Sequence, residues 1–123
     1  MNTTLKLSEL TLRQVPVIEP QTALDEAIRL MEGEPLKTVV LVGDEQYMGI
    51  FDEAASRSDL IPRKVDKATL EVGPYAESLN TVGHPQMTTR EALVLMDRRH
   101  LDVLPVVDNN TYLGVVTRAD LQG

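Results

Sequence analysis

The string Gly114-Val115-Val116-Thr117-Arg118-Ala119-Asp120-Leu121 places a hydroxyl and a carboxylate three residues apart, directly after an apolar run. Locally this spacing is a helix capping box: Thr117 accepts from the third helical amide and Asp120 reaches back to the cap amide. The same two groups also stand at the start of a helix, where unpaired N–H groups attract anions. Little else in the chain offers chemistry. His84 and His100 lie at no metal-ligand spacing to another donor, so no metal site is read. Ser56 and Ser58, near Asp59, lack the partnered histidine that would make a nucleophile. Asp44-Glu45 and Asp108-Asn109-Asn110 fall in expected hairpin turns, where Asp and Asn serve turn geometry. No catalytic residue is identified.

The elements that must position this string are present twice. Shifting the 123-residue chain by 65 residues, as from Pro20 to Pro85, superposes it on itself without a gap. Pro20-Gln21 returns as Pro85-Gln86, Glu26-Ala27 as Glu91-Ala92, Leu30-Met31 as Leu95-Met96 and Gly49 as Gly114. Two copies of one supersecondary unit follow, related by a pseudo-two-fold axis. Each copy alone is near the lower limit for an independent core, so the two are expected to share one.

Copy one reads as a lead, Leu5 to Leu10, then a strand over Val15 to Ile18. Thr22, with Asp25 as capping partner, starts a helix whose stripe is Leu24, Ala27, Ile28 and Met31. Gly33 and Pro35 stop it. Thr38 to Val42 is a buried β-branched strand, Tyr47 to Phe51 its hairpin partner, and Asp52 a cap for a second helix. Copy two repeats the order: lead Leu70 to Tyr75, strand Asn80-Thr81-Val82, a helix capped by Thr88 and Glu91, strands over Val103 to Val107 and Tyr112 to Val116, and a last helix opened by Thr117. The fold class is α+β, with two β-α-β-β-α repeats at 5–56 and 70–121 and a charged linker at 57–69, all within one module spanning 1–123.

Net charge is −7, and no basic cluster exceeds Arg98-Arg99-His100. A nucleic-acid partner needs a basic footprint and stacking aromatics, and the aromatics here are Tyr47, Phe51, Tyr75 and Tyr112 only. The longest apolar runs are too short to cross a bilayer, and residues 1–12 do not read as a signal peptide. A cytoplasmic protein without membrane insertion is the expectation. The chain has no cysteine, which excludes disulfides and thiolate metal sites.

The duplication, the β-α-β-β-α order, Leu104-Pro105-Val106-Val107-Asp108 and the Gly-apolar-apolar-Thr-x-x-Asp string together resemble a tandem pair of cystathionine-β-synthase-type (CBS) domains, a Bateman module. The resemblance runs from about Leu5 to Leu121 and is closer in copy two. It implies a regulatory ligand-sensing module rather than an enzyme. Its ligand would be adenosine-containing, AMP, ADP, ATP or S-adenosylmethionine, held in a cleft between the repeats, with no cofactor required. On that resemblance Asp120 accepts from both ribose hydroxyls, and Thr117 and the helix amides face phosphate. The base lies against Val15, Pro16, Val17, Thr38 and Val39, and Lys37 or Arg118 offsets the acidic Asp102. Copy one departs from the pattern. Asp52 stands where Thr117 stands and Ala55 where Asp120 stands. A carboxylate at a phosphate position repels it, and Ala55 cannot hold a ribose, so this second site is degenerate.

Two readings follow. In one the module binds an adenosine ligand and signals to a regulated partner protein or a missing domain. In the other it is a non-binding structural pair acting through oligomerisation. A homodimer is expected in either, because Val94 and Leu95 add apolar surface beside the Leu93/Met96 stripe.

Overall fold

The computed structural model describes residues 5–76 and 81–122. Copy one carries β1 (Val17–Ile18), α1 (Leu24–Glu32), β2 (Thr38–Gly43), β3 (Gln46–Asp52) and α2 (Glu53–Ser56). Copy two carries α3 (Thr89–Arg99), β4 (Val103–Asp108), β5 (Thr111–Thr117) and α4 (Arg118–Gln122). The described residues fall into two compact units. One draws on 15–79, the other on 1–14 together with 80–123. Each unit therefore takes its lead segment from the part of the chain that precedes the other copy's strands and helices.

In the first unit, β1 runs parallel to β2, and β2 pairs antiparallel with β3. Its core joins Ile18, Leu24, Ala27, Met31, Val39, Leu41, Phe51, Ala55 and Ile61 to Val72 from the second lead. In the other unit β4 and β5 form an antiparallel hairpin. Leu7 from the first lead is buried there with Ala92, Met96, Leu104, Val106, Val116 and Leu121. Leu7 and Val72 are repeat equivalents, and the same three backbone bonds seat each lead. Leu7 N–H donates to the Met87 carbonyl, Ser8 N–H to Pro85 and Thr89 N–H to Leu5, at 2.9, 2.9 and 2.8 Å. Val72 N–H donates to Thr22, Gly73 N–H to Pro20 and Leu24 N–H to Leu70, at 2.9, 2.9 and 2.8 Å.

One departure from the expected elements lies at the start of α1. Thr22 does not cap α1, and Asp25 is not its capping partner. The cap residue is Ala23, which has no side-chain bond, and the first helical amide is satisfied by the Leu70 carbonyl of the docked lead. Asp25 Oδ1 instead accepts from the next amide, Glu26 N–H. Thr88, the repeat equivalent of Ala23, does cap α3, with Glu91 closing the box as expected, although Thr89 N–H is likewise bonded to its docked lead. Asp52 likewise caps α2, its Oδ1 accepting from Ala55 N–H at 2.9 Å.

A second departure concerns the first strand of copy two. Asn80 lies outside the described residues. Thr81 and Val82 form no strand, and only Gly83 makes a parallel bridge, to Val106. The reason is the residue opposite. In copy one, Val40 N–H donates to the Pro16 carbonyl at 3.0 Å. Its equivalent in copy two is Pro105, which has no N–H to give. The bonds that remain are Gly83 N–H to Pro105 and Val107 N–H to Gly83, at 2.8 and 2.9 Å. Gly83 is itself demanded by packing, since a Cβ there would lie 2.7 Å from Leu7 Cδ1. In copy one the strand is also shorter than Val15 to Ile18, with pairing confined to β1.

If the lead is integral to its unit, deleting most of its buried side chain should be costly. Leu7→Ala is expected to destabilise the protein by about 2–5 kcal/mol in urea unfolding, the range for a buried leucine. Leu5→Ala, at a largely exposed position, should cost under about 1 kcal/mol. Equal costs for the two would contradict the docking.

Candidate functional site

The β5–α4 junction carries Thr117, Arg118 and Asp120. The apolar run Val115-Val116 is buried in the hairpin, so the chain emerges from the core at Thr117 and turns directly into α4. The capping box forms as its spacing predicts. Thr117 N–H donates to Asp120 Oδ2 at 2.9 Å, and Asp120 N–H to Thr117 Oγ1 at 3.3 Å. The Asp120 amide is thus directed to Thr117 rather than left open to an anion.

Asp120 has a further partner 107 residues away in the chain. Arg13 grips it side-on, with Nε 2.8 Å from Oδ2 and Nη2 2.7 Å from Oδ1. The backbone aims Arg13 at this carboxylate. Arg13 pairs antiparallel with Val115, exchanging two bonds of 2.9 Å, and Gln14 Nε2 donates to the Leu113 carbonyl at 3.0 Å. Gly114 makes that approach possible: a Cβ there would stand 2.6 Å from Leu12 Cβ and 3.0 Å from the Arg13 carbonyl oxygen. The glycine of the string therefore seats the arm that carries Arg13. Nothing in the spacing of the sequence links residue 13 to residue 120, so sequence reasoning passed over Arg13.

The Asp120 carboxyl is held down at about 2, chiefly by the hydrogen bonds from Arg13. Partial burial opposes the shift, and the contacts of Thr117 assist it. The same pair raises the Arg13 guanidinium above its ordinary value. The Asp120 side chain is 20 % exposed and that of Arg13 is 50 % exposed, so the pair is reachable from solvent.

Arg118 does not face Asp120. Its guanidinium is bonded to Asp97 on α3, with Nη2 also 3.4 Å from the Met96 carbonyl oxygen. The remaining candidates belong to the other unit. Thr38 is buried, its hydroxyl donating to the Leu36 carbonyl at 3.0 Å, and Val39 lies in the core. Val15 is buried and Val17 is exposed on β1, while the Pro16 carbonyl accepts from Val40 N–H. Lys37 Nζ caps the end of α1 through the Glu32 carbonyl at 2.6 Å. Asp52 is taken up by its cap, and Ala55 is buried among core residues. Among the described residues no cluster of His, Cys, Asp or Glu forms a metal cage.

The Arg13–Asp120 pair has a definite pH signature. The folded-state pKa of Asp120 lies below the ordinary carboxylate value of 3.8. Its stabilisation is therefore complete above about pH 4 and is lost as pH falls towards about 2. The stability gap between wild type and Arg13→Gln in urea unfolding should narrow over that interval. A gap that does not change with pH would mean that Arg13 acts through packing alone.

Known proteins supply the frame for this geometry. The CBS domain family model matches residues 7–54 and 84–122. A CBS domain-containing protein of Bacillus subtilis, YhcV, is 28% identical over 111 residues, covering 88% of this chain and 76% of that protein. A conserved CBS domain protein of Thermoplasma acidophilum superposes with a TM-score of 0.81 at 16% identity, over 98% of this chain and 68% of its own. The cytosolic domain of the Mg2+ channel MgtE, solved in complex with ATP, superposes with a TM-score of 0.76 at 18% identity, over 95% of this chain and 47% of its own. With a CBS match in each copy and the shared strand-helix-strand-strand order, this chain belongs to the CBS domain family as a tandem pair.

Proposed function

We propose that this regulatory CBS-pair module binds one adenosine-containing ligand through Thr117 and Asp120 of copy two, and binds it without turnover. The observation that carries the reading is the contrast between equivalent positions. Asp120 is a partly exposed, ionised carboxylate at the head of α4, and Ala55 is a core residue in copy one. A carboxylate of that kind accepts hydroxyl donors such as a ribose diol; a buried methyl group cannot. The ATP found with the MgtE domain supports an adenosine ligand for the same fold. AMP, ADP, ATP and S-adenosylmethionine are the candidates. Val15, Pro16, Val17, Lys37, Thr38 and Val39 belong to the other unit, so the reading rests on Thr117 and Asp120, with Arg118 the third copy-two candidate. Arg118, committed to Asp97, is the weakest member of the set. The copy-one position stays closed, with Asp52 used as a cap.

One observation favours the second reading, a structural pair that binds nothing. Thr117 and Asp120 satisfy each other, and Arg13 completes the carboxylate. Calorimetry at a temperature well below unfolding separates the two. Wild type should bind at least one of the four ligands, and Asp120→Asn, which keeps shape but loses charge, should weaken that ligand at least about tenfold, as for loss of a charge-assisted hydrogen bond. In a thermal-shift screen, a ligand at 100 times its Kd stabilises by about 2.7 kcal/mol. No shift with any of the four would favour the structural pair.

We also propose that the module is a homodimer through its helices. Val94 is exposed on α3 beside the half-buried Leu93 and Leu95. Sedimentation at tens of micromolar should show a dimer that Val94→Glu weakens; a monomeric wild type would refute this.

A further inference from the structure

The Asp120 carboxylate has about four acceptor positions, two on each oxygen. Arg13 Nε and Thr117 N–H occupy those of Oδ2, and Arg13 Nη2 takes one of Oδ1. One position is left. A ribose diol that donates both hydroxyls needs two. A ligand can therefore seat its ribose on Asp120 only by displacing a donor, and the half-exposed Arg13 side chain can swing away where the Thr117 backbone amide, fixed at the β5–α4 junction, cannot. The displaced guanidinium stays beside the sugar, because its backbone is pinned to Val115 on both sides of the bridge. Its side-on grip uses Nε and Nη2 and leaves Nη1 outside the pair. A guanidinium deprived of its carboxylate is best satisfied by another oxyanion, and phosphate fits its fork as carboxylate does.

We infer that Arg13 is the specificity-determining residue of the site: it occupies Asp120 in the empty module and passes to the ligand's phosphate when the ribose arrives. This rests on the ribose reading of Asp120 above. The exchange selects by charge. A nucleoside phosphate replaces the bond it breaks. Adenosine breaks the bond and offers nothing in return. S-adenosylmethionine brings a sulfonium charge towards a guanidinium that has just lost its counter-ion. The site thereby prefers adenosine phosphates over neutral or cationic adenosine compounds, although the chain carries Asp102 and a net charge of −7. Gly114 belongs to the same device, since it lets the arm lie flush on β5.

The test is calorimetric affinity for AMP and for adenosine in wild type, Arg13→Gln and Arg13→Lys, each checked for cooperative unfolding. Wild type should prefer AMP by at least about tenfold, the scale of one charge-assisted contact. In R13Q the preference should collapse from both directions, with adenosine binding more tightly because Asp120 is released and AMP more weakly because its phosphate has lost a partner. R13K keeps the charge without the side-on fork, so it should bind adenosine more tightly than wild type while keeping part of the AMP preference. It serves alone if R13Q does not fold. An AMP-to-adenosine ratio equal to wild type in every variant that folds would overturn the inference and leave the ribose reading standing. Absence of binding of either compound to wild type and variants alike would overturn both, and Arg13–Asp120 would be a structural ion pair.

Discussion

The backbone bonds that seat each lead segment are the constraint on which the two units rest. Without the Leu5 carbonyl and the Leu7 and Ser8 amides, the start of α3 would present unpaired polar backbone, and the pocket between α3 and the β4–β5 hairpin would lack Leu7. Leu70, Val72 and Gly73 serve the start of α1 in the same way. Among the described residues this core has seven buried members, Leu7 included, so one fully buried leucine is a large share of its apolar contact. In place of the single shared core expected from the sequence there are two, each closed by the lead that opens the other repeat.

The same constraint shows why the two copies diverged where they did. Copy two spends a proline at 105 and a glycine at 83, and both choices reduce its first strand to a bridge. The glycine makes room for Leu7, which is larger than its counterpart Val72. Copy one keeps Val40, with an N–H to donate, and Ile18, with a side chain to bury, and so keeps a short parallel strand. The hairpins were left alone in both. Each has the same register, with its irregularity at the same repeat position, after Leu41 and after Val106. Each turns through two residues of positive φ, Asp44-Glu45 and Asn109-Asn110.

At the β5–α4 junction, the atoms proposed for recognition already serve stability. Thr117 and Asp120 hold the last helix in place as a capping box, and Arg13 ties that helix to the segment that follows the first lead. Under the proposed exchange, a ligand on Asp120 would act on the bond between Arg13 and α4. Such binding would be coupled to the packing of a separate chain segment, a physical means by which a regulatory module reports occupancy.

How far the sequence alone determined this protein follows from which interactions are local. The repeat, the α1 and α3 stripes, the buried strands, both hairpin turns and the caps at Thr88, Asp52 and Thr117 all depend on residues a few positions apart, and all were legible there. The family resemblance rests on the same patterns and is carried by the match to both copies. Thr22 is not a cap because α1 starts one residue later than the local pattern implies, which puts Ala23, with no side-chain acceptor, at the cap position. Only the tertiary structure assigned each lead to its unit, since backbone amides carry no sequence label. It also brought Arg13 onto Asp120 and Arg118 onto Asp97, because a salt bridge needs proximity and charge but no fixed spacing along the chain.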